Sequence, residues 1–356
     1  MYQMKKKIIL CLLLLLQIVI VNTLSLFPEF VEQYYSNGIY PYMVKVSRIL
    51  FGLFGFSIGD IIYGIVIILI IRWVWKKRKT WRREYKSNLL TIGSFFSVFY
   101  FLFYALWAVN YHRVPLNEKM GFEKKYTPEE LISFTKELIK KTNKLHLQII
   151  NNDSLKIVNP YTVSKIYNKA PNGYKNLSQQ YSYFTFNNES LKSSLISTPL
   201  SYMGFGGYLN PFTNEAQVNS NLPKYNLPTT SCHEMSHQLG YASESEANFI
   251  GYMASINNDD IYFQYSGYSF ALKYCLRNIK NFDEEKMEEL LLLVNKGIVL
   301  NYEESNRFRD EHRSFIETFF KYFYDNYLKL NHQKDGLKTY SKFVGLLVNY
   351  YKTEDL

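Results

Sequence analysis

Ser231-Cys232-His233-Glu234-Met235-Ser236-His237-Gln238-Leu239-Gly240-Tyr241-Ala242-Ser243-Glu244-Ser245-Glu246-Ala247-Asn248-Phe249 contains the pattern H-E-x-x-H. On a helix, His233 and His237 are four residues apart, so both imidazoles leave one face and can share a Zn²⁺ at ~2.0–2.1 Å. Glu234 projects beside that metal and can accept a proton from a water there. Gly240, three residues after the second His, suits a left-handed helix stop. A second helix carrying acidic residues then begins. The bland alternative is a partly exposed helix with two chance histidines.

A catalytic zinc needs a third protein ligand and an open position. Glu244 and Glu246 are the candidates. Ser243-x-x-Glu246 fits a capping box, which would occupy Glu246 and leave Glu244 for the metal, with Glu246 as the alternate. Glu244 and Asn248 share a helix face at i, i+4. Asn248 therefore stands where it can hydrogen-bond a ligating His.

The chain has 356 residues, 47% of them hydrophobic and 17% aromatic, which excludes a disordered protein. Three cysteines exclude a disulfide scaffold. The net charge of +10 is confined to residues 1–115, which hold 14 Lys+Arg and 4 Asp+Glu. Residues 116–356 are neutral, so no electrostatic footprint for nucleic acid is expected. The basic front contains three apolar runs, at about 8–27, 49–75 and 89–109, each able to cross a ~30 Å hydrocarbon core. A cleaved signal peptide competes for the first, but no small-x-small site follows it. Asp60, after Ser57-Ile58-Gly59, reads either as a helix start at the interface or as an intramembrane site. Lys76, Lys77, Arg78, Lys79, Arg82, Arg83 and Lys86 lie between the second and third runs, opposed only by Glu84. Retention of this loop in the cytoplasm places the N-terminus inside and residues 116–356 outside.

That external part reads as one domain, α+β but mostly α, with a small β-sheet. Thr127-Pro128-Glu129-Glu130 signals a capped helix running to about Leu145. A second is expected across Tyr161–Tyr181, interrupted at Pro171-Asn172-Gly173. Residues 193–219 read as short strands and turns. Their Gly204–Asn219 part is either an edge strand that pairs with a peptide or a structural hairpin. Further helices are expected at about 243–256, 261–281, 284–296, 303–331 and 337–352. Phe308, Phe315, Phe319, Phe320, Tyr322 and Phe323 read as core packing. Tyr265 is either a donor to a tetrahedral oxyanion or a packing residue. Cys232 reads as a buried thiol. His112, His146, His312 and His332 have no partner at metal-ligand spacing.

HExxH followed by ExxxN is similar to the gluzincin branch of the zincin metallopeptidases. That resemblance implies Glu244 as third ligand and Asn248 where an Asp is often found. The spacing from His237 to Glu244 is much shorter than in thermolysin-like enzymes. The whole chain more closely resembles an uncharacterised family of bacterial membrane proteins with a zinc-peptidase-like domain. The matching pieces are Ser57-Ile58-Gly59-Asp60, the segment from Gly207 to Phe212 with Glu215 to Asn219, the HExxH stretch, and Tyr265-Ser266-Gly267-Tyr268. The implied protein is a multi-pass inner-membrane zinc peptidase acting on peptides outside the cytoplasm. A zinc-binding, non-catalytic membrane sensor or scaffold is the alternative, and a transporter built on the spans is a weaker third. Oligomeric state is not legible.

Overall fold

A computed structural model describes residues 2–123, 125–331 and 340–356. Two compact units are present: Met1–Val114 with Asn210–Glu215, and Pro115–Leu209 with Ala216–Leu356.

In the first unit, three helices among the described residues are long and apolar enough to cross a membrane: Tyr2–Leu24, Ile58–Lys77 and Tyr85–Leu106. The first packs on the third. Lys7 Nζ donates to Thr91 Oγ1 at 2.8 Å, and a Cβ on Gly93 would lie 2.6 Å from Cys11 Sγ. Only a small residue permits that approach. The apolar run read as one span from Ile49 is broken. Ile49 belongs to the helix Tyr40–Gly52, and the span helix begins only at Ile58. The break follows from its end signals, Gly52 on one side and the Ser57 cap on the other. Ser57 Oγ accepts from Asp60 N at 2.9 Å, so Asp60 sits in the first turn of the helix. Glu215 completes that start, accepting from Ile58 N at 3.1 Å and Gly59 N at 2.6 Å. A carboxylate is favoured there because the first amides of a helix have no partner within it.

The second unit is mostly helical with a three-stranded sheet. The predicted capping box forms at Thr127 and Glu130, and its helix runs on to Ile150. Val163–Gln180 is one helix with Pro171 inside it, so the expected interruption is absent. Its packing overrides the local breakers: a Cβ on Gly173 would lie 1.9 Å from the Ala254 carbonyl, so backbone meets backbone there. The expected helix at 284–296 stops at Leu291. The expected helix at 303–331 is two helices, Lys296–Glu311 and Phe315–Leu330, the second capped by Ser314. The helix Tyr340–Tyr350 occupies part of 337–352, whose start, like His332, lies outside the described residues.

Strands β1 (Leu191–Ser193), β2 (Gly207–Leu209) and β3 (Ala216–Val218) form a sheet in the order β1-β3-β2. β1 is parallel to β3, with Leu191 opposite Ala216, and β2 is antiparallel, with Gly207 opposite Val218. A helix not expected from the strand-like pattern, Ser197–Met203, lies between β1 and β2. β2 is therefore an edge, and β3 is the centre. Both strands pack against the helix that carries H-E-x-x-H.

Candidate metal centre

The helix Leu227–Gln238 starts with Pro228 in its first turn and ends before Gly240, whose φ of 82° turns the chain back. Only glycine adopts that left-handed conformation at no steric cost. The chain returns as the helix Glu244–Ile256, which packs along the first. Their approach is set by Gly251, where a Cβ would lie 2.8 Å from the His233 backbone. Gly251→Ala should push the two helices apart. Overpacking of this kind costs about 1–3 kcal/mol. Thermal unfolding of the full chain followed by circular dichroism should show a lowered midpoint, and an unchanged midpoint would mean the contact is not tight.

This turn and packing bring Glu244 to the two imidazoles. Its Oε2 lies 3.3 Å from His233 Nε2, and its Oε1 lies 3.7 Å from His237 Nε2. The three donor atoms lie within 4.8 Å of one another, and among the described residues they are the group that could hold a metal ion. Two imidazole nitrogens and one carboxylate oxygen are the donor types of a three-ligand zinc site. The surrounding bonds suit that use. His237 Nδ1 lies 2.7 Å from the Tyr241 carbonyl, which directs Nε2 inward as the electron-pair donor. The Asn248 side chain lies near enough to the His233 ring to favour its protonated form.

Glu234 is 3% exposed, and its Oε2 has no hydrogen-bond partner among the described residues. Its Oε1 lies over β2, where a Cβ on Gly207 would meet it at 2.6 Å. Burial, with the nearby Glu244 charge, pushes the Glu234 carboxyl up to about 8, although His233 opposes the shift. Burial also lowers His237, to about 4. Burial alone would raise Glu244, but the hydrogen bond from His233 and the charges of the two histidines hold it below the usual carboxylate range.

The capping box expected at Ser243 and Glu246 is corrected, and the two readings left open for Tyr265 are narrowed. Ser243 makes no capping bond with its side chain; its hydroxyl pairs with Ser245 at 3.0 Å. Glu246 instead accepts from Leu116 N at 2.7 Å, which satisfies the start of the short helix Leu116–Met120. Glu246 thus stands outside the donor group. Tyr265 is buried among Tyr302, Tyr225, Ser269 and Glu304 and donates to Asn301 Oδ1 at 2.8 Å. That bond commits its hydroxyl to the core, as its packing alternative requires. Cys232 is fully buried, and His146 is bonded to the Leu155 carbonyl. A residue that sequence reasoning missed is Tyr324, which donates to Glu244 Oε1 at 2.5 Å and packs on Phe205. No local signal marks it, because it lies 80 residues beyond Glu244.

The profile of a family described as "Protein of unknown function (DUF3810)" matches residues 35–348. The chain belongs to this family. The DUF3810 region takes in the helices Ile58–Lys77 and Tyr85–Leu106, the sheet, His233, Glu234, His237, Glu244 and Tyr324, and leaves the helix Tyr2–Leu24 outside. No curated protein and no solved structure matches the chain.

Proposed function

We propose that this DUF3810 protein is a membrane-anchored, zinc-dependent peptidase with a zincin-like site. The observation that carries the reading is the convergence of His233, His237 and Glu244 beside a buried carboxylate, Glu234, with an unpartnered oxygen. His233, His237 and Glu244 would hold the ion. When bound, zinc supplies Lewis-acid polarisation of the scissile carbonyl and acidification of the attacking water. Glu234 takes a proton from that water at its free Oε2 and returns it to the leaving amine. Burial away from other partners leaves that oxygen available for the transfer. β2 supports a peptide substrate, since it is an edge strand and its Gly207 lies against Glu234. An extended peptide can add to such an edge through main-chain bonds. A scaffold that only binds zinc has no use for an unpaired buried acid, which costs free energy to keep.

The test is hydrolysis of casein or a peptide library by the full chain purified in detergent. Activity should disappear with a chelator and return with Zn²⁺. A chain that binds no zinc and cleaves nothing would sink the reading.

The proposed setting is a bacterial inner membrane, with the basic loop around residues 76–86 and the N-terminus in the cytoplasm and the second unit outside. An alkaline phosphatase fused after Leu356 should then be active, since that enzyme needs export. An inactive phosphatase beside an active cytoplasmic reporter at the same point would reverse the orientation.

A further inference from the structure

The helix Phe315–Leu330 leaves four of the aromatic residues read as core packing exposed. Phe315, Phe319, Tyr322 and Phe323 are 84%, 62%, 73% and 59% exposed. Their spacing of i, i+4, i+7 and i+8 puts them on one face of the helix. The opposite face is engaged: Phe320 and Tyr324 pack on Phe205, and Glu317 lies against Gly204. Tyr202, 40% exposed, extends the apolar surface at the start of the helix, where Ser314 Oγ donates to its carbonyl at 3.0 Å. A contiguous bare aromatic surface of this kind marks an interaction site.

We infer that this aromatic face docks onto the surface of a lipid bilayer, as a second membrane contact besides the spans. The chain itself supplies the occupant. Among the described residues three helices are long and apolar enough to cross a membrane, so this helix is covalently tethered to a membrane-anchored segment, at high effective concentration. Its chemistry fits the headgroup boundary. Phe and Tyr are the side chains that settle at that depth. Neither acid on the helix is left unpaired towards phosphate: Glu317 pairs with Lys321 and Asp325 with Lys329. The two lysine side chains stay half exposed, with stems long enough to reach the headgroups. One helix thus offers a lipid contact on one face and holds Tyr324 against Glu244 with the other. The bilayer contact does not depend on any reaction at Glu234.

The test uses the full chain in nanodiscs of phosphatidylcholine and phosphatidylglycerol. A cysteine is introduced by Phe319→Cys, or separately by Phe323→Cys, and labelled with an environment-sensitive fluorophore. Lys140→Cys, on an exposed and polar part of the helix Pro128–Ile150, is the reference, and the unsubstituted chain gives the labelling background. Labels at 319 and 323 should emit at shorter wavelength than the label at 140. They should also be quenched several-fold more by lipids carrying a doxyl group near the headgroup. Labels at 319 and 323 that respond to doxyl lipid no more than the label at 140 would overturn the inference. Labels shielded from aqueous iodide but untouched by doxyl lipid would overturn it too, because a second copy or another protein would then be the cover.

Discussion

Glu234→Gln should lower peptide hydrolysis by ~10²–10⁴-fold, the usual loss for a general acid–base group, while about one zinc per chain remains. The substitution keeps the shape of the side chain and leaves His233, His237 and Glu244 in place. Glu234 is not one of the three donors that converge, and its Oε2 has no protein partner among the described residues. Binding and chemistry should therefore separate. Metal content measured on the same preparation as activity checks both halves. Full activity in this variant on a verified substrate would remove Glu234 from the mechanism. Loss of zinc along with activity would make it a ligand instead.

The second large effect should come from Glu244→Ala. It deletes one of three donors, and it also strips Tyr324 of its acceptor. Changes to groups that merely orient a ligand cost about 10–100-fold in metal affinity. Loss of a ligand should exceed that and take hydrolysis with it. Glu246→Ala is the matched control two residues away. Its carboxylate serves Leu116 N, so its removal should cost about 1–3 kcal/mol of stability and leave the zinc bound. Equilibrium dialysis against Zn²⁺ and a thermal melt on each variant read the two effects separately. If Glu246→Ala empties the site and Glu244→Ala does not, the third ligand has been assigned to the wrong acid.

The two cases show what one local pattern can and cannot decide. Glu244 and Glu246 both lie in the first turn of one helix and look alike in sequence. The capping box that seemed to distinguish them does not form, yet Glu246 is still engaged elsewhere, because an amide 130 residues away needs an acceptor. Tyr265 was a plausible oxyanion donor by its chemistry alone, and its bond to Asn301 takes that hydroxyl into the core. The aromatic residues after Ser314 have the composition of a core helix, but among the described residues Phe315, Phe319, Tyr322 and Phe323 stay exposed on one face.

The sequence by itself determined whatever depends on neighbours within a helical turn or two. The spacing of His233 and His237 places their rings together, with centroids 4.9 Å apart, and Thr127 and Glu130 close their capping box. Run length and apolarity alone identified three helices able to span a bilayer. Tertiary structure decided everything that rests on contacts between distant segments. The left-handed turn at Gly240 and the tight backbone approach at Gly251 carry Glu244 to the imidazoles. The bare Gly207 leaves room for the Glu234 carboxylate against β2, and Tyr324 arrives from another helix to hold Glu244. Short-range order follows from the period of the helix, whereas these approaches depend on which backbones meet, and a missing Cβ shows its purpose only when its neighbour is in place.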